Sequence, residues 1–316
     1  MIGALGAAGR VLAVGIGGGG DVVGALAVAE LARLLGTETI VGGLSWERQP
    51  IDPLPGPRPI ADIVRARRLN DAVALAGPET TGPGGFRFAE SHMARHLGAP
   101  VALLDPSDGP AAVARGLAGA AADLECDLVV LVDVGGDVLA HGDEAGLASP
   151  LADAVCLAAA PALAGAGIDV QVAVFGAGCD GELTPGEVLE RVAEVAAAGG
   201  HLGTWGPGPA ELERLEAAVA QIPTEASAMA LRCARGATGS MTIRAGRRTV
   251  LLTAVGGMVF FFDALVALRS AARCAVLVEH ATSLAQASAI LTQRGIASEL
   301  RYEQEPAPGQ GRRPRP

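Results

Sequence analysis

The chain contains no lysine: all 24 of its basic residues are arginines. Without lysine there is no Schiff base to pyridoxal phosphate or to a carbonyl substrate, and no P-loop lysine to lie on a nucleotide's phosphates. Any anion that needs a side-chain cation must use arginine, and any metal must use carboxylates or the five histidines. The chain also lacks a run of about 18 residues free of charged and turn residues, so no membrane span is expected. The first residues show no basic region followed by a long apolar run and a cleavage site, and the expected compartment is the cytoplasm. Cys126, Cys156, Cys179, Cys233 and Cys274 form no C-x-x-C pair, which points away from a disulfide framework or a zinc knuckle. There is no G-x-S-x-G elbow for a hydrolase triad. A net charge of −10 argues against nucleic acid as a partner.

Half of the 316 residues are hydrophobic, mostly Ala, Val and Leu, enough to bury the core of one large α/β domain or two smaller ones. The most informative stretch is VLAVGIGGGGDVVGA, residues 11–25. Residues 11–16 read as a buried parallel strand, and residues 22–35 carry the apolar spacing of a helix. Gly17, Gly18, Gly19 and Gly20 are the turn between them. Glycine lets backbone N–H groups converge at positive φ, and the following helix aims its positive end at the same spot. An anion site for phosphate or carboxylate is the leading reading; a strand-to-helix turn packed against its neighbours is the alternative.

Strand and helix then alternate. Strands are expected at residues 39–44, 101–104, 128–134 and 170–175, and helices at 60–75, 88–97 and 110–124. Ser149-Pro150 reads as the start of a helix reaching about residue 164. Thr184-Pro185-Gly186-Glu187 is a capping box with proline at the first helical position. The rhythm implies a Rossmann-like, mostly parallel sheet with helices on both faces. Past residue 199 the rhythm changes. Helices at 209–220 and 224–235 make a helical insertion over about residues 205–240, followed by apolar runs at 250–254 and 258–262. A strand at 275–278 and a helix at 283–293 complete a single domain over residues 1–303, with a disordered tail over 304–316.

In open α/β sheets ligands bind beyond the C-terminal ends of the strands. Read in turn, those ends carry Asp21; Trp46, Glu47 and Arg48; Asp105 and Asp108; Asp133 and Asp137; Gly176, Gly178, Asp180 and Glu182; and Asp263. Aspartates also cap turns and helices, but here they coincide with glycine turns. A hard cation such as Mg²⁺ uses one or two carboxylates, waters and phosphate oxygens, which suits a phosphate cradle on the opposite wall. The Gly15-x-Gly17-x-x-Gly20 spacing matches the dinucleotide fingerprint, yet the acidic residue expected after the second strand is replaced by Gly42 and Gly43. His92 and His96 stand at i, i+4, without the intervening glutamate of a zinc protease.

The turn Gly17 to Asp21, the segment Gly43-Leu-Ser-Trp46-Glu47-Arg48 with its Asp52-Pro and Pro55-Gly-Pro-Arg58 continuation, Gly135-Gly-Asp137, and Gly176-x-Gly178-x-Asp180-Gly-Glu182 together resemble the domain of unknown function 1152 family, an uncharacterised prokaryotic family. The resemblance covers most of the chain. It implies one α/β unit and transfers no reaction.

The expectation is thus an enzyme for a phosphorylated or nucleotide-like small molecule, a metal-assisted hydrolase or transferase. Gly17 to Gly20 cradle the anion with Trp46, Glu47, Gly176 and Gly178 nearby. Asp133, Asp137 and Asp180 hold Mg²⁺, Asp21 is the general base, and Arg48 or Arg58 grips the anion. The alternatives are a nicotinamide- or nucleotide-binding oxidoreductase, and a non-catalytic small-molecule sensor or partner subunit. Self-association into a homo-oligomer is open.

Overall fold

The computed structural model describes residues 2–304. Its strands are β1 (Arg10–Gly15), β2 (Glu38–Leu44), β3 (Val64–Arg68), β4 (Val73–Thr81), β5 (Val101–Leu104), β6 (Leu128–Val134), β7 (Asp169–Phe175), β8 (His201–Trp205), β9 (Gly239–Ile243), β10 (Arg248–Leu252) and β11 (Val259–Asp263). Nine form one sheet in the order β3-β4-β5-β2-β1-β6-β7-β11-β8, and β9 and β10 form a separate two-stranded ribbon. The five central strands, β5 to β7, are all parallel, while β4 and β11 run against their neighbours. Seven of the nine strands therefore point the same way, and the fold is the Rossmann-like α/β class.

Central strands buried on both faces read as near-continuous apolar runs, and LVVLVDV of β6 is buried at every position, its one charged residue, Asp133, included. Alternate side chains divide between two cores. Leu12, Val14, Leu131 and Val172 join one with helices Gly109–Asp123, Leu151–Leu157, Ala160–Gly165, Arg273–Val278 and Leu284–Gln293. Val11, Ala13, Val130 and Phe175 join the other with helices Val22–Leu34, Ala89–Leu97, Pro209–Val219 and Glu225–Ala234. The two helices expected beyond residue 205 are present, and Glu225–Ala234 lies against the turn after β1.

Three local expectations fail. The helix expected at 60–75 is the hairpin β3–β4, turned by Asn70, whose Oδ1 accepts the Ala72 and Val73 amides. The side chain satisfies its own turn, and that local bond outcompetes a helix. The strand expected at 275–278 is helical, Arg273–Val278, because a four-residue apolar run carries no period of its own. The helix after Ser149 breaks into Leu151–Leu157 and Ala160–Gly165, with Pro161 in the first turn of the second. Of the tail expected from residue 304, Gln304 ends a short helix and the rest lies outside the described residues. No helix among the described residues is long and apolar enough to cross a membrane.

Candidate functional site

From β1 the chain steps to β2 on one side, and it later returns to β6 on the other, so strand order reverses between β1 and β6. Loops leaving the two C-terminal ends diverge there and open the crevice where such sheets bind ligands. Gly17 to Asp21 follow β1, Trp46 to Arg48 follow β2, Gly135 to Asp137 follow β6, and Gly176 to Glu182 follow β7.

The glycine turn has the backbone expected of it, with Gly18 at φ 84° and Gly19 at φ 52°. The amides of Gly17 and Gly19 already have partners. Asp21 Oδ2 accepts from Gly17 N (3.0 Å) and Val134 N (3.2 Å), and Gly19 N donates to Trp46 O (3.0 Å). The chain's own carboxylate thus takes one of the turn's amides, that of Gly17. Gly20 is packed on Thr224, whose side chain a Cβ would overlap.

Arg48 does face the turn. Its Nη2 donates to Gly17 O (2.9 Å), its guanidinium lies 4.3 Å over the Trp46 ring, and it pairs with Glu299 (3.6 Å) and Glu303 (3.0 Å). Trp46 is fully buried and its Nε1 donates to Glu303. Arg58 is turned inward, bound to Asp52 (2.8 Å) and to the carbonyls of its own loop at Leu54 and Pro55. The amides of Gly176 and Gly178 go to Met258 O and Gly135 O, so these glycines shape the loop that delivers Asp180. Asp105 bonds Ser107 and Asp263 caps the helix Ala264–Ser270. His92 and His96 belong to none of the metal-competent groups among the described residues.

The carboxylates assemble into two adjoining trios, in each of which one ligand oxygen per residue lies within 4.8 Å of the other two. Asp21, Asp133 and Asp153 make one; Asp137, Asp180 and Glu182 make the other. The expected set Asp133, Asp137 and Asp180 is therefore split between them, with Asp133 and Asp137 four residues apart at the end of β6. Bare glycines permit the approach: a Cβ on Gly135 would meet the Asp180 carboxyl. Asp133 Oδ2 is oriented by the amides of Gly136 (2.9 Å) and Val138 (3.2 Å), and Glu182 by those of Ala148 and Ser149, the Ser149 hydroxyl and Arg248 (2.7 Å). The N-cap role expected of Ser149 is replaced: Glu299 accepts the Leu151 (3.0 Å) and Ala152 (2.8 Å) amides that open the helix.

So many carboxylates in one dry place resist ionisation. Burial, then repulsion from Asp21 and Asp180, raises Asp133 well above the usual range. Asp137 and Asp153 are raised in the same way, by burial and then by their neighbours. Burial pushes Asp21 and Asp180 up to about 7, the first held back by its two amides and the second driven further by Glu182. Beside them, burial also takes Glu47 to about 7 and raises Glu90, which is fully buried with neither carboxyl oxygen hydrogen-bonded. Glu90 fills the space beside Gly43, at the end of β2.

Asp153, Glu90, Glu299 and Glu303 were not expected at the site. Asp153 left a trace in the sequence: it is the only charged residue in LADAVCL, a helix buried at every position, with no polar face to carry it. A third group, His141, Asp143 and Glu144, lies beyond β6, where Arg191 pairs with Glu144 and Glu194.

Fold and site together define an α/β protein with a buried carboxylate cluster at its topological switch point. The model of the DUF1152 family, described as "protein of unknown function", matches residues 12–307, and the chain belongs to that family. No curated protein and no solved structure matches the chain.

Proposed function

We propose that this protein is a divalent-cation-assisted enzyme, a hydrolase or transferase, acting on a phosphorylated or nucleotide-like small molecule. The observation that carries this reading is the convergence of Asp137, Asp180 and Glu182 beside the glycine turn at the switch point. Hard cations of the Mg²⁺ type take carboxylate oxygens and complete their shell with water and phosphate oxygens. Asp137, Asp180 and Glu182 hold the cation here, and the neighbouring carboxyl of Asp133 adds to the negative field at Asp137. Arg248 on β10 and Arg48 after β2 flank the carboxylates and supply the planar grip on phosphate that a chain without lysine must take from arginine. Asp21 commits one oxygen to two backbone amides. Glu47, whose Oε2 lies 3.9 Å from the Cβ position of Gly19 and whose carboxyl titrates at about 7, takes or returns the proton.

The test is thermal unfolding of chelator-treated protein with and without Mg²⁺ or Mn²⁺, followed by a phosphate-release screen over nucleoside phosphates and sugar phosphates. A cation-dependent rise in Tm, reduced in Asp137→Asn, and cation-dependent turnover, lost in that variant, are expected. Identical melting with and without either cation, or turnover untouched by chelation, would overturn the reading.

A further inference from the structure

Asp153 has no role in that reading, and the geometry of the trio it completes asks for one. Asp21, Asp133 and Asp153 come from the turn after β1, from β6 and from the helix Leu151–Leu157, three separate elements whose carboxylate oxygens nevertheless lie within 4.8 Å of one another. Asp153 is 1% exposed, its Oδ1 has no hydrogen-bond partner, and its Oδ2 points to within 3.3 Å of the Cβ position of Gly17. A buried carboxylate oxygen without a donor is costly, and the usual compensations are a hydrogen bond, an ion pair or a metal.

Charge balance sharpens the point. The two trios carry six formal negative charges, and Arg248 meets one of them through Glu182. Arg48 is taken up by Glu299 and Glu303. One divalent cation leaves three of the six unmet in a closed site, whereas two leave one.

We infer that the crevice holds two divalent cations side by side, the second on Asp21, Asp133 and Asp153. This rests on the reading of the Asp137, Asp180 and Glu182 trio as a cation site. The spread of oxygens in each trio fits a hard cation with ligands at about 2.0–2.6 Å. Asp133 and Asp137, four residues apart at the end of β6, belong one to each trio and keep the two positions adjacent. Two adjacent cations in such a site clamp both the attacking and the leaving oxygens of a phosphoryl transfer.

Stoichiometry and coupling test this with Mn²⁺ as the probe. Titration of chelator-treated protein, followed by the paramagnetic signal of free Mn²⁺, is expected to saturate at two equivalents, and the frozen sample to show the broadened spectrum of two interacting ions. Asp153→Asn keeps the side-chain shape and removes no hydrogen bond made by Oδ1; it is expected to bind one equivalent, with an uncoupled spectrum. Asp180→Asn removes a ligand of the other trio and is expected to leave one equivalent as well. Wild-type saturation at one equivalent, or two equivalents retained in Asp153→Asn, would overturn the second site while leaving the first. No Mn²⁺ uptake at all would overturn both.

Discussion

Replacing Asp180 with Asn should make the cation-free protein more stable at pH 8 while weakening its response to cations. Asn keeps the oxygen that accepts the Glu182 amide (3.2 Å) and removes the charge. In the folded chain burial, then Glu182, lifts this carboxyl from 3.8 to about 7. A carboxyl raised on folding contributes fully to stability below its unfolded value, and that contribution is lost as pH rises through the window from about 4 to about 7. Above this window the folded chain carries the whole cost of ionisation, up to about 4 kcal/mol for a shift of this size. Glu182 keeps part of the repulsion that Asp180 no longer shares, so the expected gain is about 1–3 kcal/mol. The assay is urea unfolding in chelator at pH 5 and pH 8. The variant should match the wild type at pH 5 to within about 1 kcal/mol and exceed it at pH 8, and Mg²⁺ should narrow the gap by stabilising the wild type more than the variant. A variant that is less stable than the wild type at pH 8, or a difference that does not change with pH, would refute the reasoning.

Glu303→Gln should cost about 2–3 kcal/mol in urea unfolding, because it leaves the Arg48 charge half-buried beside Trp46 with only Glu299 as a carboxylate partner. Trp46 emission should shift to the red if its Nε1 loses that acceptor, and an unchanged spectrum and stability would show that the contact contributes nothing. Gly20→Ala should lower thermal stability by about 1–3 kcal/mol through overlap with Thr224, and Thr224→Gly in the same chain should restore it. Equal stability of Gly20→Ala and wild type would mean that the turn and the helix Glu225–Ala234 part easily.

What the sequence made legible follows from how local each signal is. The runs that became β1, β6 and β7 are apolar because both faces of a central strand are buried, and the capping box at Thr184 and Glu187 closes within four residues. The edge hairpin β3–β4 was missed because VRARR is mostly exposed and no core dictates its side chains. The site divides along the same line. Asp21, Asp133, Asp137 and Asp180 stand beside glycine turns at strand ends, where topology sends ligands. Asp153, Glu90 and Glu299 are single acids on helices, and only the packing of distant elements shows that they face the same crevice. Nothing in the glycine turn's sequence told that Asp21, four residues on from Gly17, would accept the Gly17 amide itself.

The attachment of Glu299 and Glu303 gives the assembly of this site a direction in time. Arg48 and Glu303 are 255 residues apart, and Leu151 and Glu299 are 148 apart. As the chain emerges from a ribosome, the β1, β2, β6 and β7 loops are all made well before residues 299–303 exist. Until those residues arrive, the amides that open the helix bearing Asp153 lack their acceptor, and Arg48 lacks both carboxylate partners. A nascent chain therefore passes through a stage in which the sheet is complete and the acidic crevice is still loosely held.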